Sequence, residues 1–298
     1  MLYDVIITGG GFAGLAAAMP LVRARRRVLL VDACRPRNRF ASRSHGFLGQ
    51  DGVPPAEIRA RGLAELSAYP TFTLLDGSVA TVTGGLDDFT IQLADGSRHR
   101  GRRLILATGV SDELPPLPGL RERWGVGAVH CPYCHGYEVA GGPLGVLATH
   151  PGSDVKALLV ADWGPTTLFT QDAFLLEPEM AERLAASGVA VETSPIVELL
   201  GPAPALSAVR LADGRELPLA ALFVGSQTHM ASPLALHLGC AFDEGFSGPH
   251  LSVDAWKGTS VPGIFAAGDA SMPMHSAPLS VASGMLAGVG AHRSLLGL

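Results

Sequence analysis

The chain has 298 residues, 47% hydrophobic and 16% charged, with 37 glycines and a net charge of -5. That length supports two domains with their own cores, and the low charge density excludes long disordered tails. The acidic balance excludes a nucleic-acid partner, Arg25-Arg26-Arg27 reading as the solvated end of a helix, and no apolar run is long enough to span a bilayer.

In chain order, residues 3–8 read as a buried parallel strand. Gly9-Gly10-Gly11-Phe12-Ala13-Gly14 follows, then an Ala/Leu-rich helix from about Ala13 that Pro20 is expected to kink or end. The apolar start carries Asp4, lacks basic flanking residues and is broken by glycines. It therefore reads as strand and loop, not as a targeting segment. Residues 28–31 form a second strand, closed by Asp32. Gly9, Gly11 and Gly14 thus spell GxGxxG between a strand and a helix. Such glycines allow a tight turn, the close approach of a pyrophosphate and close helix packing, and the acid accepts from ribose hydroxyls.

A stretch rich in turn residues and arginine (35–55) leads to a helix at about 56–67. Short strands follow at 71–75, 79–82, 89–93 and 104–107, with a hairpin signal at Leu93-Ala94-Asp95-Gly96. Ala107-Thr108-Gly109 and a proline-rich link close this module. Beyond Cys131-Pro132-Tyr133-Cys134-His135 come a strand at 144–147, a helix at 153–161 and a strand at 166–170. A second Leu211-Ala212-Asp213-Gly214 precedes a buried strand at 221–224. The matched order describes two modules of one plan. In the tail, Gly268-Asp269 follows a buried strand, and Ser276-Ala277-Pro278 reads as a helix N-cap with proline near the first turn. The positive end of that helix suits an anionic group of a bound ligand.

A CxxC pair exchanges disulfides: one thiol attacks and the other resolves. His135, directly after Cys134, is placed to hold or deliver a proton near neutral pH. Half of a zinc knuckle, with His130 and His135, is the other reading of this run, although no second CxxC completes it. Four cysteines with one CxxC fit a reducing cytoplasm better than a disulfide framework, and Cys34 and Cys240 read as structural. The second glycine loop is spoiled. Ala148, His150 and Ser153 stand where Gly9, Gly11 and Gly14 stand in the first, so a side chain obstructs the pyrophosphate position. The stretch after the next strand, Gln171-Asp172-Ala173-Phe174, lacks the arginines that a 2′-phosphate needs.

With these motifs in this order, the chain resembles the low-molecular-weight thioredoxin reductase family over nearly its full length. The run Cys131-Pro132-Tyr133-Cys134-His135-Gly136-Tyr137-Glu138 is similar to the branch holding the dithiol oxidases that close disulfides in gliotoxin and holomycin. The family has an acid directly after its second cysteine; here it is His135. The resemblance implies an α/β fold of two Rossmann-like, three-layer dinucleotide-binding domains. A discontinuous FAD domain spans 1–113 and 244–298, and a degenerate NAD(P)-binding-like domain, 114–243, carries the CxxC. It implies FAD held by Gly9, Gly11, Phe12, Ala13, Gly14, Asp32, Ala107, Thr108, Gly109, Gly268, Asp269 and Ala277, with no metal. It implies Cys131 as the thiol that meets substrate, Cys134 as the one that discharges to the flavin, and His135 as acid/base. The expected reaction is oxidation of a small-molecule or peptide dithiol with oxygen as acceptor, in a cytoplasmic homodimer. The alternatives are a reductase fed by NAD(P)H or another donor and acting on a thioredoxin-like protein, and a non-catalytic flavin-bound redox sensor.

Overall fold

A computed structural model describes residues 1–298 and divides them into two compact units. One comprises Met1–Arg39, Pro54–Ser111 and Thr228–Leu298; the other comprises Phe40–Val53 and Asp112–Gln227. The sequence puts the return to the first domain at 244, but the contacts put it at Thr228. Leu234, Ala235 and Cys240 are buried in one core with Ile6 and Leu104, and the Ala231 N–H donates to the Gly109 carbonyl at 3.1 Å. Phe40–Val53 joins the second unit, where Phe40 packs on Gly125 so tightly that a Cβ there would stand 2.6 Å from the Phe40 Cβ.

The first unit opens with β1 (Leu2–Thr8), α1 (Phe12–Arg23), β2 (Val28–Asp32), α2 (Pro55–Ser67), β3 (Phe72–Asp76), β4 (Val79–Gly85), β5 (Asp88–Leu93) and β6 (Arg98–Leu106). The parallel order β3-β2-β1-β6 forms its sheet. Val5, Ile6, Ile7 and the run 28–31 are buried on both faces, hence their unbroken apolar reading. β6 begins earlier than the expected residue 104. Its first half pairs antiparallel with β5 across the Leu93–Gly96 turn before the rest lies beside β1. α1 also departs from expectation, running through Pro20 to Arg23. Leu21 and Val22 are fully or nearly fully buried one residue on, which holds the last turn despite the lost hydrogen bond.

β7 (Val110–Glu113) leads the chain out. The second unit then builds β8 (Ala128–Val129), α3 (Pro132–His135), β9 (Leu144–Leu147), α4 (Ser153–Val160), β10 (Thr166–Phe169), α5 (Pro178–Ala186) and β11 (Ala190–Glu192). A meander of β12 (Ile196–Leu200), β13 (Ala208–Leu211) and β14 (Glu216–Pro218) follows, then β15 (Ala221–Val224). The parallel order β11-β10-β9-β15-β8 repeats the plan of the first sheet. Even the turns match: the Gly96 N–H donates to the Leu93 carbonyl at 3.0 Å, as Gly214 does to Leu211 at 3.0 Å, and both glycines take positive φ.

β16 (Gln227–Met230) brings the chain back. α6 (Leu234–His237), β17 (Phe242–Asp243) and β18 (His250–Leu251) precede β19 (Ile264–Ala266), which pairs with β6, and α7 (Ala277–Leu295). α7 lies on α1 at backbone distance. A Cβ on Gly284 would come 2.1 Å from the Ala13 carbonyl oxygen, and one on Gly288 would come 2.2 Å from that of Ala17. The same gap at Gly288 accommodates the Pro20 ring. No helix is long and apolar enough to cross a membrane.

Candidate active site

β8 ends at Val129, and two residues on the chain turns into the short helix α3, with Cys131 at its N-cap and Pro132 as its first residue. Proline presets φ there and needs no N–H partner. Cys131 and Cys134 form a disulfide with Cα atoms 5.3 Å apart. Gly136 follows because the Trp163 ring lies where a side chain would go, 2.7 Å from a built Cβ. Trp163 also meets Tyr133 edge-on at 5.7 Å. Cys34 is exposed and Cys240 buried, both outside the disulfide. No group of three or more His, Cys, Asp or Glu gathers to hold a metal ion, so the zinc-knuckle reading has no assembled site.

Burial is the main cause that pushes His135 below the ordinary histidine range; Glu138 pulls it up and His45 pushes it down. A neutral imidazole beside a dithiol can accept a thiol proton. His45, from the Phe40–Val53 segment, approaches Glu138 Oε1 with Nε2 at 3.4 Å and Asp51 Oδ1 with Nδ1 at 3.5 Å. Neither His45 nor its pairing is visible in the CxxC run, because it arrives from about ninety residues upstream.

In the first unit, the three loop glycines do different things. A Cβ on Gly9 (φ +101°) would lie 2.3 Å from the Ala107 carbonyl oxygen, and one on Gly14 would lie 1.9 Å from that of Gly9. Gly11, by contrast, faces nothing within 4 Å. Packing therefore fixes Gly9 and Gly14, while Gly11 fronts a cradle at the N-terminus of α1, which Phe12 and Ala13 begin. Asp32 ends β2; its Oδ1 accepts from the Gly10 N–H at 3.1 Å, and Arg59 of α2 pairs with its Oδ2. Ala107, Thr108 and Gly109 (φ +68°) follow β6. After β19, Gly268 takes φ +73°, and Asp269 accepts from Ser280 at 3.0 Å and pairs with Arg37 at 3.1 Å. Ser276 caps α7 by accepting the Leu279 N–H at 3.3 Å, with Ala277 and Pro278 opening the helix.

These residues share the first unit, at the carboxyl ends of its parallel strands, where such sheets bind dinucleotides. The open cradle at Gly11, the helix end behind it and the buried acid at Asp32 fit FAD. Arg37 and Arg59 are additions to the sequence reading: they sit in an arginine-rich region whose spacing marks no partner.

The second loop has the same place in its unit and the opposite finish. Gly152 takes φ +97° to start α4. The Ser153 hydroxyl accepts the Thr149 N–H at 3.3 Å and donates to the His150 carbonyl at 2.8 Å. The Thr149 hydroxyl donates to the Gly225 carbonyl, and a Cβ on Gly225 would stand 2.9 Å from His150 Nε2. The Thr149 and Ser153 hydroxyls are thus bonded within the loop and to Gly225, and the His150 ring stands beside Gly225, the residue after β15.

Residues 3–150 match the family model of pyridine nucleotide-disulphide oxidoreductases. Over 306 residues the chain is 33% identical to the thioredoxin reductase tcpT of Claviceps purpurea, covering 99% of this chain and 95% of that one. An oxidoreductase from Agrobacterium tumefaciens is 47% identical, with a TM-score of 0.96 over 100% of this chain and 99% of its own. HlmI is 37% identical, with a TM-score of 0.92 over 99% and 93%.

Proposed function

The chain belongs to the pyridine nucleotide-disulphide oxidoreductases, in their thioredoxin reductase-like group, and is an FAD-dependent disulfide oxidoreductase; from that premise we propose that it oxidises dithiols. The observation that carries this reading is the second loop. A reductase fed by NAD(P)H needs room for the nucleotide's pyrophosphate at this loop, and here the Ser153 hydroxyl bonds within the loop and the His150 ring stands beside Gly225, which favours the oxidase.

In this reading a thiolate of a small-molecule or peptide dithiol attacks Cys131, breaking the Cys131–Cys134 bond and releasing Cys134. The second substrate thiol then displaces Cys131, so that the substrate leaves as a disulfide and the protein holds the electron pair as a dithiol. His135 accepts a proton from the entering thiol. When bound by the first unit, FAD would supply a two-electron acceptor for that pair, with oxygen as the final acceptor and peroxide as the product. The protein works in the cytoplasm as a homodimer, which sedimentation of the holoprotein checks.

The names of relatives such as tcpT favour a second reading, a reductase fed by NAD(P)H or another donor that acts on a thioredoxin-like protein. Anaerobic stopped-flow mixing separates the two. Millimolar NADPH and NADH leave the flavin absorbance unchanged on a catalytic timescale, a dithiol bleaches it, and air restores it. Rapid bleaching by micromolar NADPH would establish the reductase.

A further inference from the structure

Only two of the 22 basic residues in the chain are lysines. One of them, Lys156, is half-buried on the first turn of α4, and its Nζ donates to the His130 carbonyl at 3.4 Å and to the Val224 carbonyl at 3.3 Å. The Val224 carbonyl ends β15, and the His130 carbonyl, one residue past β8, belongs to the peptide that carries Cys131. The partners of this ammonium are carbonyl oxygens, not a carboxylate. Withdrawing a cation from water without a counter-charge is costly, and this desolvation brings Lys156 down to about 8. It therefore stays mostly protonated at neutral pH. Other ionisable groups near the dithiol are His130, Tyr133, His135, Tyr137 and Glu138, and the Glu138 carboxylate already faces His45.

We propose that Lys156 is a positioning residue that sets the redox poise of the Cys131–Cys134 pair, its ammonium holding the Cys131 peptide and stabilising the thiolate formed when the disulfide is reduced. The step balances as follows: a dithiol and the Cys131–Cys134 disulfide give the substrate disulfide, one enzyme thiolate, one enzyme thiol and one released proton, with two electrons moving to the enzyme sulfurs. In the oxidised protein the ammonium lacks an anion; in the reduced protein the thiolate provides one. The reduced form gains more, which makes the disulfide a stronger oxidant. Lysine suits this role better than arginine as a compact point charge on a flexible stem.

The inference deepens the oxidase reading and rests on it only for direction, because poise can be measured without turnover. Holoprotein is equilibrated anaerobically in glutathione buffers, quenched with a maleimide, and the Cys131–Cys134 peptide mapped for its reduced fraction. Lys156→Gln keeps a donor for both carbonyls but removes the charge; Lys156→Met removes both. Each should shift the equilibrium at least about tenfold toward the disulfide, roughly 30 mV for this two-electron couple. A wild-type equilibrium in Lys156→Gln overturns the proposal, and so does a shift confined to Lys156→Met, which would make the lysine a donor alone. Flavin content and circular dichroism confirm that each variant is folded. A shift accompanied by NADPH bleaching of the flavin would sink the oxidase reading and leave this one standing.

Discussion

The two glycine loops follow the same strand–loop–helix plan, and one is open where the other is filled. A Cβ on Gly11 would meet no atom within 4 Å, whereas in the second loop the His150 ring stands 2.9 Å from where a Cβ on Gly225 would be. The backbone plan survives in both, since β9-β15 repeats β1-β6 and each loop leads into a helix. On the oxidase reading the fold keeps a dinucleotide-binding frame around a loop that no longer serves it, so function must be read from the loop.

The largest effect expected from breaking this contrast is at Gly11. Gly11→Val should abolish FAD binding and leave the fold intact, because the new side chain enters only the cradle. The purified variant should be colourless with an unchanged melting curve; retained stoichiometric FAD would place the cofactor elsewhere. Cys131→Ser and Cys134→Ser should each bring dithiol-driven oxygen uptake to background while flavin stays bound, measured with an oxygen electrode.

His135→Asn should slow the rate by about a hundredfold, the usual size of an acid–base contribution. The wild-type rate should rise through a pH below the ordinary histidine value and stay level above it, because burial favours the neutral ring. A profile unchanged in His135→Asn would give that limb to another group. Gly284→Ala should destabilise the first unit by about 1–3 kcal/mol, the usual cost of overpacking, since its Cβ would meet the Ala13 carbonyl. Calorimetry of the holoprotein reads that as a lower melting temperature. The smallest effect belongs to the second loop: His150→Gly should leave dithiol turnover within about twofold, because Ser153 still consumes the Thr149 N–H. A gain of NADPH-driven flavin reduction in that variant would show that the histidine alone closes the site.

What could be read in the sequence was whatever local sterics decide. GxGxxG demands its glycines, the two Leu-Ala-Asp-Gly turns need a positive φ, and Ser276 with Pro278 spells a helix start. Pairings across long chain separations were not legible. Arg59 on Asp32, Arg37 on Asp269, His45 on Glu138 and Lys156 on the His130 carbonyl are made by charged residues of ordinary appearance. The extension of α1 past Pro20 depends on Gly288, 268 residues away, which no local window contains.

The division of the chain also bears on how it is made. The units exchange the chain four times, at 39/40, 53/54, 111/112 and 227/228. Phe40–Val53 leaves the ribosome early but must wait for the part of its unit that begins at Asp112. β6 waits longer still for its neighbour β19, and α1 for α7, which comes far later in the chain. Domains that fold as they emerge shelter their apolar surfaces one at a time. Here neither unit can close before its distant segments have emerged, so the α7-facing side of α1, with Ala13 and Ala17, stays uncovered until α7 has been made.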